Sequence, residues 1–252
     1  GSTSKRYEVV DSAIATMKSA FLSVDAVKNK DLVINTSVVT FSGPNSFGDE
    51  STGQTCLYGT NGDARVSVAW TPINEFSFSL SEIDRVGGTN WQAGVRTGAT
   101  QLTTGTGTKK YVVFLTDGDP TFRYNTSGTL KTLGYGNNDN ENRNSQAAIN
   151  EWNNSSSLKS GYVTSYVVDT NNTDKGESFA NAIGATYLEG TNQTAITNNF
   201  KKIAEDITLP AYKNVYIQDT LSDYVDFEVA EKLDFKVYAG NTELKIFSDF
   251  SA

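Results

Sequence analysis

Two carboxylates stand two residues apart in Thr116-Asp117-Gly118-Asp119-Pro120-Thr121, at the end of the apolar run Tyr111–Leu115. A run of this kind reads as a strand covered on both faces of an α/β sheet. Ligands of such sheets bind just outside the carboxyl ends of the strands. Three kinds of chemistry are open to Asp117 and Asp119 there. They can help hold a hard cation, which takes about six oxygens from one or two carboxylates, hydroxyls and waters. They can attack a phosphate. Or they can shape a strand-end turn, for which Asp and Gly suit the backbone. A second polar loop, Gly87-Gly88-Thr89-Asn90, brings a hydroxyl. Gly87-Gly88 reads as a turn and Thr89-Asn90 as the cap of the next helix. Thr89 and Asp117 together would give a cation two of its oxygens, and an open position could take a carboxylate from a partner protein.

Composition removes several other chemistries. The 252 residues contain no His, so Ser-His-Asp and Cys-His catalysis and His-ligated zinc are excluded. The single cysteine, Cys56, cannot form an internal disulfide. Gln54 lies near it, but two residues apart is the wrong context for a thioester, and Cys56 reads as an inert thiol. The formal net charge of -8 argues against nucleic acid as a partner and suits a cation site. No apolar run reaches about 18 residues, so no membrane insertion of this segment is expected. The chain opens without an initiating Met and with no visible leader, so it reads as a piece of a longer protein. Loops such as "GYGNNDNEN" and "TNNTDKGES" are rich in Asn, Ser and Thr, a composition common in exported bacterial surface proteins.

The elements that must position these loops follow from periodicity. A helix is expected from about Tyr7 to Val24, with Val10, Ile14, Met17, Phe21 and Val24 on one side. Asp31–Phe41 and Ala64–Trp70 read as strands of a hairpin, joined by a long polar stretch at 42–63. Ser79–Val86 reads as a short helix, and Trp91, Val95, Ala99 and Leu102 as the buried side of a longer one. After the strand ending at Thr116 comes a second long loop, 122–140. Then follow a helix over Glu141–Asn153, a strand over Gly161–Asp169, a helix in "ESFANAIGA", a short strand "TYLEG" and a last helix through Ile196, Phe200, Ile203 and Ile207. This alternation predicts an α/β fold with a doubly wound, mostly parallel sheet flanked by helices over 1–209. From Pro210 the pattern changes. "KNVYIQDTLSDYVDFEV" and "LDFKVYAGNTELKIF" alternate apolar and polar residues, as half-buried antiparallel β does, so 210–252 reads as a β segment of an adjoining domain.

With "GGTN", "TDG" and the helix opening "NWQAGV" taken together, residues from about Tyr7 to Leu209 resemble a von Willebrand factor A-type domain, of the kind found in adhesins at the tip of Gram-positive pili. The resemblance implies a Rossmann-like sheet and a metal ion-dependent adhesion site. Thr89 and Asp117 match two of that site's three elements. The third, Asp-x-Ser-x-Ser after a first strand, has no match within the chain. Either Gly1-Ser2 is the end of that motif, which would make Ser2 its last serine ligand, or Gly1-Ser2 is vector-derived. In either case the family's first strand, normally central in the sheet, is expected upstream or from another segment. Asp249 and Ser251 in the C-terminal "KIFSDFSA" are a remote alternative source of ligands.

The expected cofactor is Mg2+ (or Mn2+ or Ca2+), and the expected role is adhesion without catalysis. The implied partners are a host extracellular-matrix or cell-surface protein and other pilin subunits, at a cell-wall-anchored pilus tip or cell surface. The loops 42–63 and 122–140 are candidate arms around the metal face, and Asp119, Tyr58, Phe122 and Tyr124 are candidate ligand contacts on them; Tyr135 lies in the same arms. The tail from Tyr212 resembles the segment by which tip pilins enter an immunoglobulin-like domain, where Lys213 is of a type that forms Lys–Asn isopeptide bonds. Two readings stand beside adhesion. One is the same fold with a degenerate metal site, acting as an interaction module. The other is a Mg2+-dependent phosphatase, because Asp117-Gly118-Asp119-Pro120-Thr121 also fits the Asp-x-Asp-x-Thr motif of haloacid-dehalogenase-like hydrolases. That motif normally opens its domain, whereas here more than a hundred residues precede it.

Overall fold

The computed structural model of the chain describes residues 6–44, 52–80, 87–125, 129–136, 141–159, 161, 163–171, 174–208, 235–239 and 242–247. Ser2, Ser81–Val86, Lys213, Asp249 and Ser251 lie outside these residues. The chain divides into two units, Gly1–Leu209 and Pro210–Ala252.

In the first unit the strands β3 (Lys110–Thr116), β6 (Val163–Asp169) and β7 (Thr186–Glu189) form a parallel sheet in the order β3-β6-β7. The period-2 alternation of these strands decides which helices cover them. Val112, Phe114 and Val167 face α3 (Trp91–Thr104), α4 (Glu141–Asn154) and α5 (Asp174–Ile183), in a cluster with Trp91, Val95, Leu102, Trp152 and Phe179. Tyr111, Val113, Leu115, Tyr166 and Val168 face α1 (Arg6–Ser23) and α6 (Gln193–Thr208), meeting Val9, Ala13, Ile196, Phe200 and Ile203. The unit is thus a parallel three-stranded sheet flanked by helices on both faces.

The next pair of strands stands apart from that sheet. β1 (Asn35–Phe41) and β2 (Ala64–Pro72) pair antiparallel, from Asn35 opposite Pro72 to Phe41 opposite Ala64. Among the described residues neither strand shares a ladder with β3. Side chains make the connection instead. The Phe41 and Phe114 rings stack with centroids 5.2 Å apart. Ile14 and Met17 of α1 reach both the sheet cluster and a further cluster of Phe21, Ile73, Phe76 and Ala204 beside the hairpin. Of the expected doubly wound sheet, the described residues show a parallel three-stranded sheet flanked by helices and, apart from it, an antiparallel hairpin. The apolar strand β3 lies at an end of its sheet, and its only fully buried residues are Phe114 and Thr116.

Short elements complete the unit. α2 (Asp25–Lys28) follows α1 directly, and Lys18 of α1 donates from Nζ to the Phe76 carbonyl at 2.6 Å. A single 3-10 turn, Gly59–Asn61, lies in the first inserted stretch. The second inserted stretch carries β4 (Arg123–Tyr124) and β5 (Thr132–Leu133), paired antiparallel. In the second unit, β8 (Phe235–Ala239) and β9 (Thr242–Phe247) form an antiparallel hairpin. Among the described residues no helix is long and apolar enough to cross a membrane.

Candidate functional site

β3 ends in register with its neighbours, Thr116 opposite Asp169 and Asp169 opposite Glu189. The loop beyond Thr116 therefore leaves from the carboxyl edge of the parallel sheet. The loop at 87–90 is tied to it by backbone and side-chain bonds. The Thr89 amide donates to Thr121 Oγ1 at 2.7 Å, and the Thr89 carbonyl accepts from the amides of Thr121 (2.8 Å) and Phe122 (3.0 Å). One residue on, the indole of Trp91 donates to Thr116 Oγ1 at 3.1 Å, and that hydroxyl donates to the Gly118 carbonyl at 2.8 Å. The loop bearing Thr89 and the loop bearing Asp117 are thus one stitched surface.

The two glycines before Thr89 follow from this close approach. Gly87 takes a φ of 83°, in the left-handed region, and a Cβ there would run into the Gly43 carbonyl. A Cβ at Gly88 would meet Thr121 Oγ1 and the Phe122 ring. Asn90 then caps α3, its Oδ1 accepting from the Ala93 amide at 3.1 Å. The cap expected from sequence is therefore made by Asn90.

The carboxylates differ in setting. Asp117 is exposed at the strand end, and Thr89 is half-buried. Asp119 is half-buried, and its Oδ1 is shut off from solvent without a hydrogen-bond partner among the described residues. An occluded oxygen of this kind costs about 1–3 kcal/mol unless a proton, water or cation meets it. The hydroxyls of Thr89 and Thr121 and the carboxylates of Asp117 and Asp119 are hard oxygen donors, the type that Mg2+ takes together with several waters. Among the described residues no cluster of three or more His, Cys, Asp or Glu side chains is arranged to hold a metal. The donor set fits a hydrated hard cation in type and falls short of a complete protein cage. Asp169, at the end of the neighbouring strand, is fully buried and accepts from the Asn171 amide at 2.9 Å. It belongs to the packed interior of the sheet edge.

The aromatic side chains expected as ligand contacts are placed differently from that expectation. Phe122 and Tyr124 are 1 % and 4 % exposed. Phe122 lies against the glycine loop, and Tyr124 sits under the Arg96 guanidinium, 4.8 Å from the ring centroid. Both are buried because the arms pack on α3 and on each other, so neither ring is presented to a partner. Tyr58 is half-buried with Arg65 stacked over its ring at 5.1 Å. Among the described arm aromatics, Tyr135 is the exposed one, at 37 %. Cys56 is buried, its Sγ 3.8 Å from the Leu130 carbonyl, and burial pushes its thiol pKa up. That leaves it a poor nucleophile.

The residue that organises this edge is one the periodicity does not mark. Asp63, at the start of β2, is fully buried. Its Oδ1 accepts from the Leu57 amide at 2.6 Å. Its Oδ2 accepts from Asn90 Nδ2 at 2.7 Å and Thr132 Oγ1 at 2.5 Å. Its own amide donates to the Tyr124 hydroxyl at 2.7 Å, and its carbonyl accepts from the Ser42 amide at 3.0 Å. Burial pushes the carboxyl above the usual range, and the donors from Thr132, Leu57 and Asn90 pull it part of the way back. Gln54 and Thr132 also exchange backbone bonds, both at 2.9 Å, so the two inserted stretches pair directly. On the far side, Gln92 accepts from the Tyr124 amide and donates to Glu151, which holds Arg96 in a two-pronged pair at 2.7 and 2.8 Å. In the sequence Asp63 reads as a turn residue before a strand, and only the partners brought to it from residues 57, 90 and 132 reveal its role.

No family model matches this chain, and no curated protein matches it. Among solved structures it is similar to the PilB minor pilin from Streptococcus sanguinis, with a TM-score of 0.60 and 16 % sequence identity. The likeness covers 81 % of this chain and 55 % of that one, so the chain spans about half the length of the structure it resembles. What the two share is the fold, a mixed α/β architecture found in a minor pilin.

Proposed function

We propose that this chain is a surface-adhesion module of the von Willebrand factor A type, which binds a protein partner through a divalent cation held at the Thr89–Asp117 edge. The observation that carries this reading is the stitching of the Thr89 loop to the Asp117 loop at the carboxyl end of β3, with Asp119 Oδ1 buried there and lacking a hydrogen-bond partner among the described residues. A bound Mg2+ or Mn2+ would supply a positive pole on an acidic protein and an open position for a partner's carboxylate. Thr89 and Asp117 are the ligands we assign from this chain, with Asp119 and the arms flanking the contact face. Ser2 is kept as a further ligand in this reading. Among the described residues β1 and β3 touch through two rings and share no ladder, which supports a further strand between them in this reading.

Partners and place are proposed on the same footing. The fold shared with a minor pilin supports a pilus or cell-surface setting, with other pilin subunits as neighbours and a host matrix or surface protein as the target. The module binds and does not catalyse in this reading. Its first test is isothermal titration of the chain with Mg2+ and Mn2+ beside Asp117→Ala and Thr89→Ala. Binding that is lost in both variants supports the cation site. Absence of binding by a chain whose circular dichroism is that of a folded protein refutes a working site in this segment. The Thr89→Ala variant also separates adhesion from phosphatase chemistry, since hydrolysis built on Asp117 and Asp119 would survive it.

A further inference from the structure

We propose that Asp63 is the positioning residue of this binding edge: one buried carboxylate holds the first arm, the second arm and the Thr89 loop in a single cooperative unit. The inference rests on the proposed function for its significance, while its geometry stands independently. Three donors from three separate stretches converge on the two oxygens: Leu57 from the first arm, Asn90 from the Thr89 loop and Thr132 from the second arm. The Asp63 amide reaches the second arm again through the Tyr124 hydroxyl. Asp63, Asn90 and Thr132 are each 0 % exposed, so water cannot take the place of a lost partner. Each donor is also tied to its own segment. Asn90 caps α3 through the Ala93 amide, and Thr132 pairs with Gln54 through the backbone. A displacement of one arm therefore has to break bonds at Asp63 or carry the other two segments with it.

This arrangement makes an unusual demand on a remote residue. A bond lost from the second arm should loosen the first arm and the Thr89 loop, although Leu57 and Asn90 lie 75 and 42 residues from Thr132 along the chain. Removing a donor leaves a carboxylate oxygen unpaired in a dry site, and that cost favours a local opening that brings water to it and frees the segments of the other two donors.

The experiment is amide hydrogen exchange on the full 252-residue chain and its Thr132→Val and Thr132→Ser variants. Valine keeps the size of threonine and removes the donor; serine keeps the donor. With Thr132→Val, exchange should quicken about tenfold at Leu57, across 87–94 and at 123–125 together, while β6 and α6 keep their protection. Thr132→Ser should restore the slow rates. Quickening confined to 129–136, with Leu57 and 87–94 unchanged, would overturn the proposal, as would equal loosening by the serine variant. If Thr132→Val loosens the whole chain, Tyr124→Phe decides: it leaves the carboxylate's three donors in place and removes only the acceptor of the Asp63 amide. Loosening at Leu57 and 87–94 without loss at β6 again supports the unit, and loosening limited to 123–125 overturns it. No metal or partner enters the readout, so the result is independent of whether the cation site works.

Discussion

Phe179 and Asp63 are both fully buried, and the two places where they sit are built by opposite means. Phe179 lies with its ring centroid 5.1 Å from Phe114, 5.2 Å from Trp91 and 6.2 Å from Trp152, between the parallel sheet and α3, α4 and α5. Nothing there depends on one directed bond, because apolar contact is summed over many atoms. Asp63 instead meets a small number of donors, each at a fixed distance and each from a different stretch of chain. A packed apolar region degrades gradually when a neighbour changes. A buried carboxylate tolerates the loss of a partner poorly, because the unpaired group has no water to turn to. Packing of the sheet core should therefore supply most of the first unit's stability, while the arm edge is shaped by one polar centre.

Four measurements test that contrast. The largest effect is expected from Phe179→Ala, which empties the meeting point of four rings. It should cost about 3–5 kcal/mol in urea unfolding and act on the whole first unit. A loss below about 1 kcal/mol would mean that the sheet core is not the main source of stability. Next comes Asp63→Asn, expected to cost about 2 kcal/mol, since one of its atoms becomes a donor facing the donors of Asn90, Thr132 or Leu57. Its damage should be local, seen as lost protection in the arms ahead of the sheet.

The third measurement uses pH, because the two carboxyls at this edge have shifts of opposite sign. Burial raises the Asp63 carboxyl, so its contribution is fully present below the unfolded value and is lost as pH rises through the folded one. Glu151 is also pushed up by burial, but its bonds to Arg96 and Gln92 outweigh this and leave it below the usual range. Its contribution is present above the unfolded value and is lost as pH falls through the folded one. Glu151→Gln should therefore flatten the acid limb of the stability profile, between about pH 3 and 5, and Asp63→Asn should steepen it. Since Arg96 is 41 % exposed, the Glu151 change is discounted to about 0.5–1 kcal/mol. The same slope in both variants would show that the arm edge is not held by paired charges and donors as described. The smallest effect is expected from Tyr58→Ala, about 0.5 kcal/mol, through loss of the Arg65 contact at a partly open site. A normal melt with weakened partner binding would place Tyr58 on the contact face, and an unchanged affinity would remove it from that face.

Most of the sheet was legible before the structure. The apolar faces of α3 and α6 and the strand ending at Thr116 follow from periodicities of 3.6 and 2, and these survive because the same residues face the core throughout. The first helix was expected over Tyr7–Val24 and runs from Arg6 to Ser23. The loops that carry Thr89 and Asp117 are legible because Gly, Asn and Asp mark loops at the ends of regular elements. The arms were not. Phe122 and Tyr124 sit in polar stretches of the sequence, where an aromatic ring has no periodic partner to reveal that it is buried. Asp63 carries no signal at all beyond that of a turn residue.

Local pattern in the chain is enough to give the order of helices and strands, the faces they bury and the two loops that end at one sheet edge. These are local matters, decided within a few turns of helix or a few residues of strand. It took the tertiary structure to show that the two arms pair with each other, that Phe122 and Tyr124 turn inward and that, among the described residues, β1 meets β3 through side chains. Each of these depends on groups far apart in the chain competing for the same buried space, and no local pattern records which of them succeeds.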